Sequence, residues 1–245
     1  MNDDDGLNVL QQAAAHARAF RARVATRAQH PAAGYRNMLA AFSAPTPEHG
    51  AAPEAVIEEL VRLAEPGLHA MTGPRFFGWV IGASHPVGVA ADWLTSAWGQ
   101  NCGNLQAAPA AAAVEAVAAE WLLDLLGLPA SSTVGFVTGA TIANFVCLAA
   151  ARSEVLLREG WNVEADGLFA APPIRVFIGD DAHTTVFAAL QMLGLGHDRV
   201  IRIATDEAGR MRADALARAV EPGSGPTIVI AQAGRFGGWS LYLKN

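Results

Sequence analysis

The sequence predicts an α/β fold: a largely parallel sheet preceded by a helical N-terminal segment. Three observations predict it. After Ser131, short apolar runs alternate with helix-compatible stretches at strand–helix–strand spacing. Before it, roughly the first 130 residues read as helices and loops. Across its 245 residues the chain is 52% hydrophobic and 16% charged, enough to fill a core and too apolar for a disordered tail.

The elements follow in order. Val9 to Gln29 is Ala/Arg-rich with a helical pattern, and Pro31 is expected to end it. Pro45-Thr46-Pro47 marks a loop. Pro53 suits the first turn of a second helix, which places Val56, Ile57, Leu60, Val61 and Ala64 on one face before the stop at Pro66-Gly67. Met71 to Gly88 interleaves glycine and proline with Phe76, Phe77 and Trp79, which predicts irregular backbone carrying large aromatics. Pro109 to Leu126 gives the clearest helix, with Val114, Val117, Ala118, Trp121, Leu122 and Leu125 at helical spacing and Gly127 as its C-terminal cap.

Strands are then predicted at Gly135–Thr138, Arg175–Ile178, Val200–Ile203 and Thr227–Ala231. Helices are predicted between them at Thr141–Arg152, Thr184–Leu193 and Ala213–Val220. The sheet is still open where the chain ends, and the tail from Arg235 reads as an interruption rather than a finished domain.

Charge and composition narrow the function. The net charge is -6 with no basic block, so neither nucleic acid nor an anionic membrane is an expected partner. Cys102 and Cys147 are far apart, which predicts two reduced thiols in a cytosolic protein. Asp3, Asp4 and Asp5 stand where a secretory signal would carry basic residues, so none is expected. Leu125 to Ala151 lacks formal charge, but its glycines, serines and Pro129 predict turn, strand, turn and helix start rather than one membrane span.

Two constellations could carry chemistry. Gly135-Phe136-Val137-Thr138-Gly139-Ala140-Thr141-Ile142-Ala143-Asn144 runs an apolar strand into a small-residue turn and a helix start. Small residues let N–H groups approach a phosphate, and the helix N-terminus adds partial positive charge. The same residues also suit an ordinary strand-to-helix turn with a threonine N-cap. Neither the P-loop nor the dinucleotide fingerprint is present. The second constellation is Asp180-Asp181-Ala182-His183-Thr184-Thr185, after the strand ending at Gly179. Ligands bind at such strand ends, and a histidine there can stack on a planar cofactor or move a proton. A helix N-cap with a partly exposed histidine is the alternative. His197 and Asp198 lack metal-ligand spacing, so no metal site is expected.

The phosphate-type turn, His183 about forty residues later, and Thr227-Ile228-Val229-Ile230-Ala231-Gln232-Ala233-Gly234 together resemble the group II pyridoxal-phosphate-dependent amino acid decarboxylases. Upstream, Pro74-Arg75-Phe76-Phe77-Gly78, Ala90-Ala91-Asp92-Trp93-Leu94 and Glu120-Trp121-Leu122 to Leu128-Pro129 match comparable segments, so the resemblance runs from about residue 35 to Gly234. It implies part of an aspartate-aminotransferase-like (fold type I) large domain, pyridoxal 5'-phosphate as cofactor, an L-amino acid substrate and a cytoplasmic homodimer. In this family the residues matching Gly139, Ala140 and Thr141 bind the cofactor phosphate. The one matching His183 stacks on the pyridine ring and is implicated in proton handling. Trp79 falls in a segment resembling the substrate mouth.

The sequence also departs from the family. Ile142 stands where many members carry glutamate. The aspartate that pairs with the pyridine nitrogen and the His-Lys pair that anchors the cofactor have no match, and the single lysine, Lys244, lies in Leu-Tyr-Leu-Lys-Asn. The expected organisation is therefore a helical segment over 1–130 for dimerisation and the substrate mouth, a partial cofactor-binding domain over 131–234 and a divergent tail over 235–245. The chain itself is expected to be an inactive, C-terminally truncated carboxy-lyase, with an exposed sheet edge that lowers solubility. Another fold-type I enzyme, an aminotransferase or lyase, is the alternative. So is a non-catalytic fragment that pairs with a full-length partner.

Overall fold

The computed structural model describes residues 7–79, 81, 84–220, 223 and 225–231. The chain divides into two compact units, Met1–Pro109 and Ala110–Asn245.

The first unit is helical. It contains α1 (Asn8–Arg23), α2 (Tyr35–Phe42), α3 (Pro53–Ala64) with a 3-10 turn at Glu65–Gly67, and α4 (Pro86–Trp98). Pro53 and Pro86 each stand in the first turn of their helix, where the missing N–H is no loss. α1 stops at Arg23, well short of Gln29. The chain there turns so that Val24 is buried and the Gln29 carbonyl accepts from the Ala70 N–H (3.3 Å). Residues 71–79 are irregular, as expected. α2 and α4 were not expected.

Polar ties hold this unit together. Arg27 donates to a Glu65 carboxylate oxygen (2.8 Å) and to the Glu65 carbonyl (2.6 Å), and its guanidinium lies 5.1 Å from the Phe20 ring centroid. His16 pairs with Glu58 (3.1 Å), and Arg21 bonds the Ser84 hydroxyl (3.1 Å). α1 and α3 flank an apolar cleft of about 490 Å³, also lined by Val89 and Trp93.

The second unit opens with α5 (Pro109–Leu125), which starts at the division, and continues with α6 (Ala140–Arg158) and α7 (Val163–Asp166). Then β1 (Arg175–Gly179), α8 (Thr184–Met192), β2 (Ile201–Ile203), α9 (Ala213–Ala219) and β3 (Thr227–Ile230) alternate. α5 ends as expected at Gly127, whose φ of 62° suits a residue without Cβ. The Leu128 N–H reaches the Leu123 carbonyl (2.9 Å) and the Gly127 N–H reaches Asp124 (3.1 Å), satisfying two terminal carbonyls. The apolar stripe on α5 is not buried: Trp121 is 72% exposed and Leu125 80%.

The sheet is parallel, with order β2-β1-β3. β1 lies between two neighbours, so it reads as the unbroken apolar run Val176-Phe177-Ile178. Val176, Ile178 and Ile228 pack with Leu148 of α6 and with Val186, Ala189 and Leu190 of α8. By length and composition α6 could cross a membrane, yet it carries Arg152, Glu154 and Arg158 and packs on α8 and β3.

One expected strand does not form. Residues 135–137 have no ladder partner among the described residues. A strand needs a neighbour to satisfy its N–H and C=O groups, and neither the filled edges of β1 nor the outer edges of β2 and β3 take up this segment among the described residues.

Candidate active site

Residues 138–141 lead into the N-terminus of α6. Gly139 is the N-cap, and its φ of 166° and ψ of 173° are extended values that any residue adopts. The backbone therefore does not require glycine there. A Cβ built on Gly139 would meet no heavy atom within 4 Å. What the glycine leaves is room beside the helix start.

The first N–H groups of a helix have no intrahelical acceptor. Here the first bond of the ladder is from the Ala143 N–H to the Gly139 carbonyl (3.0 Å), and no side chain caps the groups before it. Thr138, Gly139 and Ala140 are exposed and Thr141 is half-buried. Neither threonine acts as the cap that the ordinary-turn alternative required. The place is an uncapped, positively polarised terminus of a 19-residue helix with open space above a glycine. It suits an anion bearing several oxygen acceptors.

His183 lies just past the C-terminal end of β1 and is the N-cap of α8. Its Nδ1 accepts from the Thr185 N–H (3.2 Å) and stands 2.9 Å from the Thr185 hydroxyl. The same hydroxyl accepts from Asn144 Nδ2 (3.1 Å). Asn144 sits on α6, one turn past the polarised terminus, so the turn and the histidine are joined through two side chains. Both appear in the stretches singled out by sequence, but neither was given a role there. Their pairing joins positions 41 apart and has no local signal.

Beside His183, Asp181 accepts from the Thr205 hydroxyl (3.0 Å), which joins the C-terminal ends of β1 and β2. Among the described residues, no group of three or more His, Cys, Asp or Glu could hold a metal ion.

Trp79 belongs to the first unit. Its φ of 57° is in the left-handed region, which is strained for a bulky residue. The indole lies 5.3 Å from the His69 ring and 5.9 Å from the Phe76 ring, centroid to centroid, and half of it is exposed. Lys244 and Gln232 to Gly234 lie outside the described residues.

An aromatic-L-amino-acid decarboxylase of Bacillus atrophaeus is 31% identical over 192 residues, covering 77% of this chain and 38% of its own. Tryptophan decarboxylase 1 of Oryza sativa subsp. japonica is 29% identical over 170 residues, covering 65% and 32%. The chain thus spans about a third of the length of these curated relatives. Among solved structures, mouse CSAD superposes with a TM-score of 0.80 at 22% identity, over 94% of this chain and 50% of that one. The Oryza sativa TDC structure with PLP and tryptamine gives 0.78 at 24%, over 89% and 46%. Those two share the fold. The pyridoxal-dependent decarboxylase conserved domain matches residues 36–237, most of the chain, and the chain therefore belongs to that family.

Proposed function

We propose that this chain supplies the phosphate cradle and the ring-facing histidine of a pyridoxal-phosphate-dependent amino acid carboxy-lyase. The observation that carries the reading is the open, uncapped start of α6, tied through Asn144 and Thr185 to His183. When bound, pyridoxal phosphate supplies the sink for the electron pair left at Cα as CO2 departs. The chain's own residues then have separate tasks. The backbone at Gly139, Ala140 and Thr141 holds the phosphate, and the Thr141 hydroxyl adds a donor. His183 covers the ring and holds or moves a proton at Nε2, since Nδ1 is engaged as an acceptor. Trp79 lines the substrate mouth. Its strained backbone and exposed indole support that assignment.

The working form is a cytoplasmic homodimer acting on an L-amino acid. The exposed stripe on α5 and the exposed Leu39 and Phe42 on α2 support a partner surface. The one lysine, Lys244, stands outside the His-Lys context of the family. By themselves, these 245 residues are therefore expected to release no CO2.

Titration of pyridoxal phosphate into the purified chain, followed by ³¹P resonance and cofactor absorbance, tests the cradle. Binding should be measurable, and Gly139→Val should weaken it on the order of tenfold or more by filling the space above the turn. Equal binding by the wild type and Gly139→Val would refute the cradle. Sedimentation of the same sample should give a dimer, and a monomer at all concentrations would refute the association.

A further inference from the structure

The described residues hold an apolar cleft in the first unit, an aromatic cluster around His69, and the Asn144–Thr185–His183 chain. The third has geometry that determines chemistry. We propose that Asn144 and Thr185 are positioning residues that hold His183 as the Nε2–H tautomer, which makes Nε2 the nitrogen that handles the proton. The inference rests on the reading of His183 as the ring-facing histidine.

In neutral imidazole one nitrogen carries a proton and the other accepts. The Thr185 N–H points at Nδ1 from 3.2 Å and can only donate, so Nδ1 must be the acceptor. The Thr185 hydroxyl, 2.9 Å away, must then donate to Nδ1 as well. A hydroxyl has one proton, so toward Asn144 it presents a lone pair, which the Asn144 amide meets with an N–H at 3.1 Å. All three links have one polarity, from Asn144 to Thr185 to His183, and the polarity leaves the imidazole proton on Nε2. The other nitrogen of a histidine is commonly set in this way.

Histidine is not among the commonest helix caps, although His85 caps α4 in the same way (3.3 Å). Serine, threonine, aspartate and asparagine ordinarily accept from the first turn. Here an imidazole does so, and its tautomer is thereby tied to the integrity of α8. Because Asn144 is on α6, the helix that would receive the phosphate also orients the residue over the ring.

The test reads the tautomer directly and needs no bound cofactor. In ¹⁵N-histidine-labelled chain, two-bond ¹H–¹⁵N correlation spectra distinguish protonated from unprotonated ring nitrogens, and His183→Gln assigns the signal. Wild type should show one neutral tautomer with the proton on Nε2. Thr185→Val keeps the shape and the backbone N–H (3.2 Å) but removes the closer donor, the hydroxyl (2.9 Å), so the preference weakens and a minor population protonated at Nδ1 should appear beside the main one. Thr185→Ser should restore the wild-type pattern. Asn144→Asp presents an acceptor, so the hydroxyl turns to it and the pattern should resemble that of Thr185→Val.

A wild-type signal protonated at Nδ1 would overturn the inference without any variant. So would a Thr185→Val spectrum identical to wild type, or an Asn144→Asp spectrum identical to wild type for the part assigned to Asn144. Failure to bind pyridoxal phosphate would sink the functional reading but leave the tautomer result standing, so the two failures are distinct.

Discussion

The two units are held together by different means. Among the described residues, the helices of the first unit bury no residue completely, and its core is reduced to small or short side chains such as Val24, Ala70 and Ala108. Its order comes from guanidinium and imidazole ties: Arg27 to Glu65, Arg21 to Ser84, and His16 to Glu58. In the second unit Phe177, Leu156, Ile178 and Leu190 are fully buried around a three-stranded sheet. Apolar burial is not screened by salt, whereas exposed ion pairs are. The comparison teaches that one unit carries its own core. The other has no comparable core, while both present apolar helix faces to their surroundings, Leu39 and Leu60 in the first unit and Trp121 and Leu125 in the second.

The largest test of that contrast is Phe177→Ala. Phe177 is 0% exposed at the centre of β1, so truncation should cost about 3–5 kcal/mol through lost transfer energy and a cavity. Leu39→Ala in α2, at a half-exposed site, should change the stability of the dissociated chain by no more than about 0.5 kcal/mol. Denaturant unfolding with hydrogen exchange read separately on β1 and α2 amides measures both. Similar costs for the two would mean that the core does not sit where the contrast places it. Next in size is Arg27→Ala, which removes two bonds to Glu65 and the stacking on Phe20. Because the Glu65 side chain is 38% exposed, the loss should be about 1–2 kcal/mol. It should shrink toward 1 M salt, where the Debye length is about 3 Å. A salt-independent cost would show that Arg27 acts by packing alone.

The contrast also explains what was legible in the sequence. β1, β2 and β3 and their helices could be read because β-branched runs bounded by glycine and charge signal strands whatever they pair with. The stretch at Gly135–Thr138 has the same local signal, yet a ladder is a property of two segments and none of the described residues pairs with it. In the first unit, α4 was hidden by Pro86 and Gly88, which read as breakers, although proline at a helix start is favourable. α2 is only eight residues long and follows Gly34 with no side-chain cap. The stripe on α5 was legible as a pattern, but its burial was not, since a pattern does not name its partner. At the candidate site, the turn at Gly139 to Thr141 and the histidine at the end of β1 could be singled out because turn chemistry is local. The Asn144–Thr185 link could not, because asparagine and threonine have many uses and only the packing of α6 on α8 brings these two together.

The smallest effect separates charge from core within the second unit itself. Asp214 opens α9 and accepts from Arg212 (2.8 Å) and Arg218 (3.0 Å), and the Arg212 bond is the larger cause holding its carboxyl down from the ordinary 3.8 to about 2. A carboxyl depressed in the folded state stabilises that state fully above its unfolded value, and the contribution is lost as pH falls through the folded one. The window is therefore from about 4 down to about 2. The group is exposed, so solvent screens it and the effect should stay local. Amide shifts of residues 213–219 should move through that window while those of Val176, Phe177 and Ile178 hold still. Asp214→Asn should abolish the movement. If the β1 amides titrate together with α9, charge at the edge is coupled to the buried sheet, and the line drawn between polar ties and apolar core would have to be moved inside the second unit.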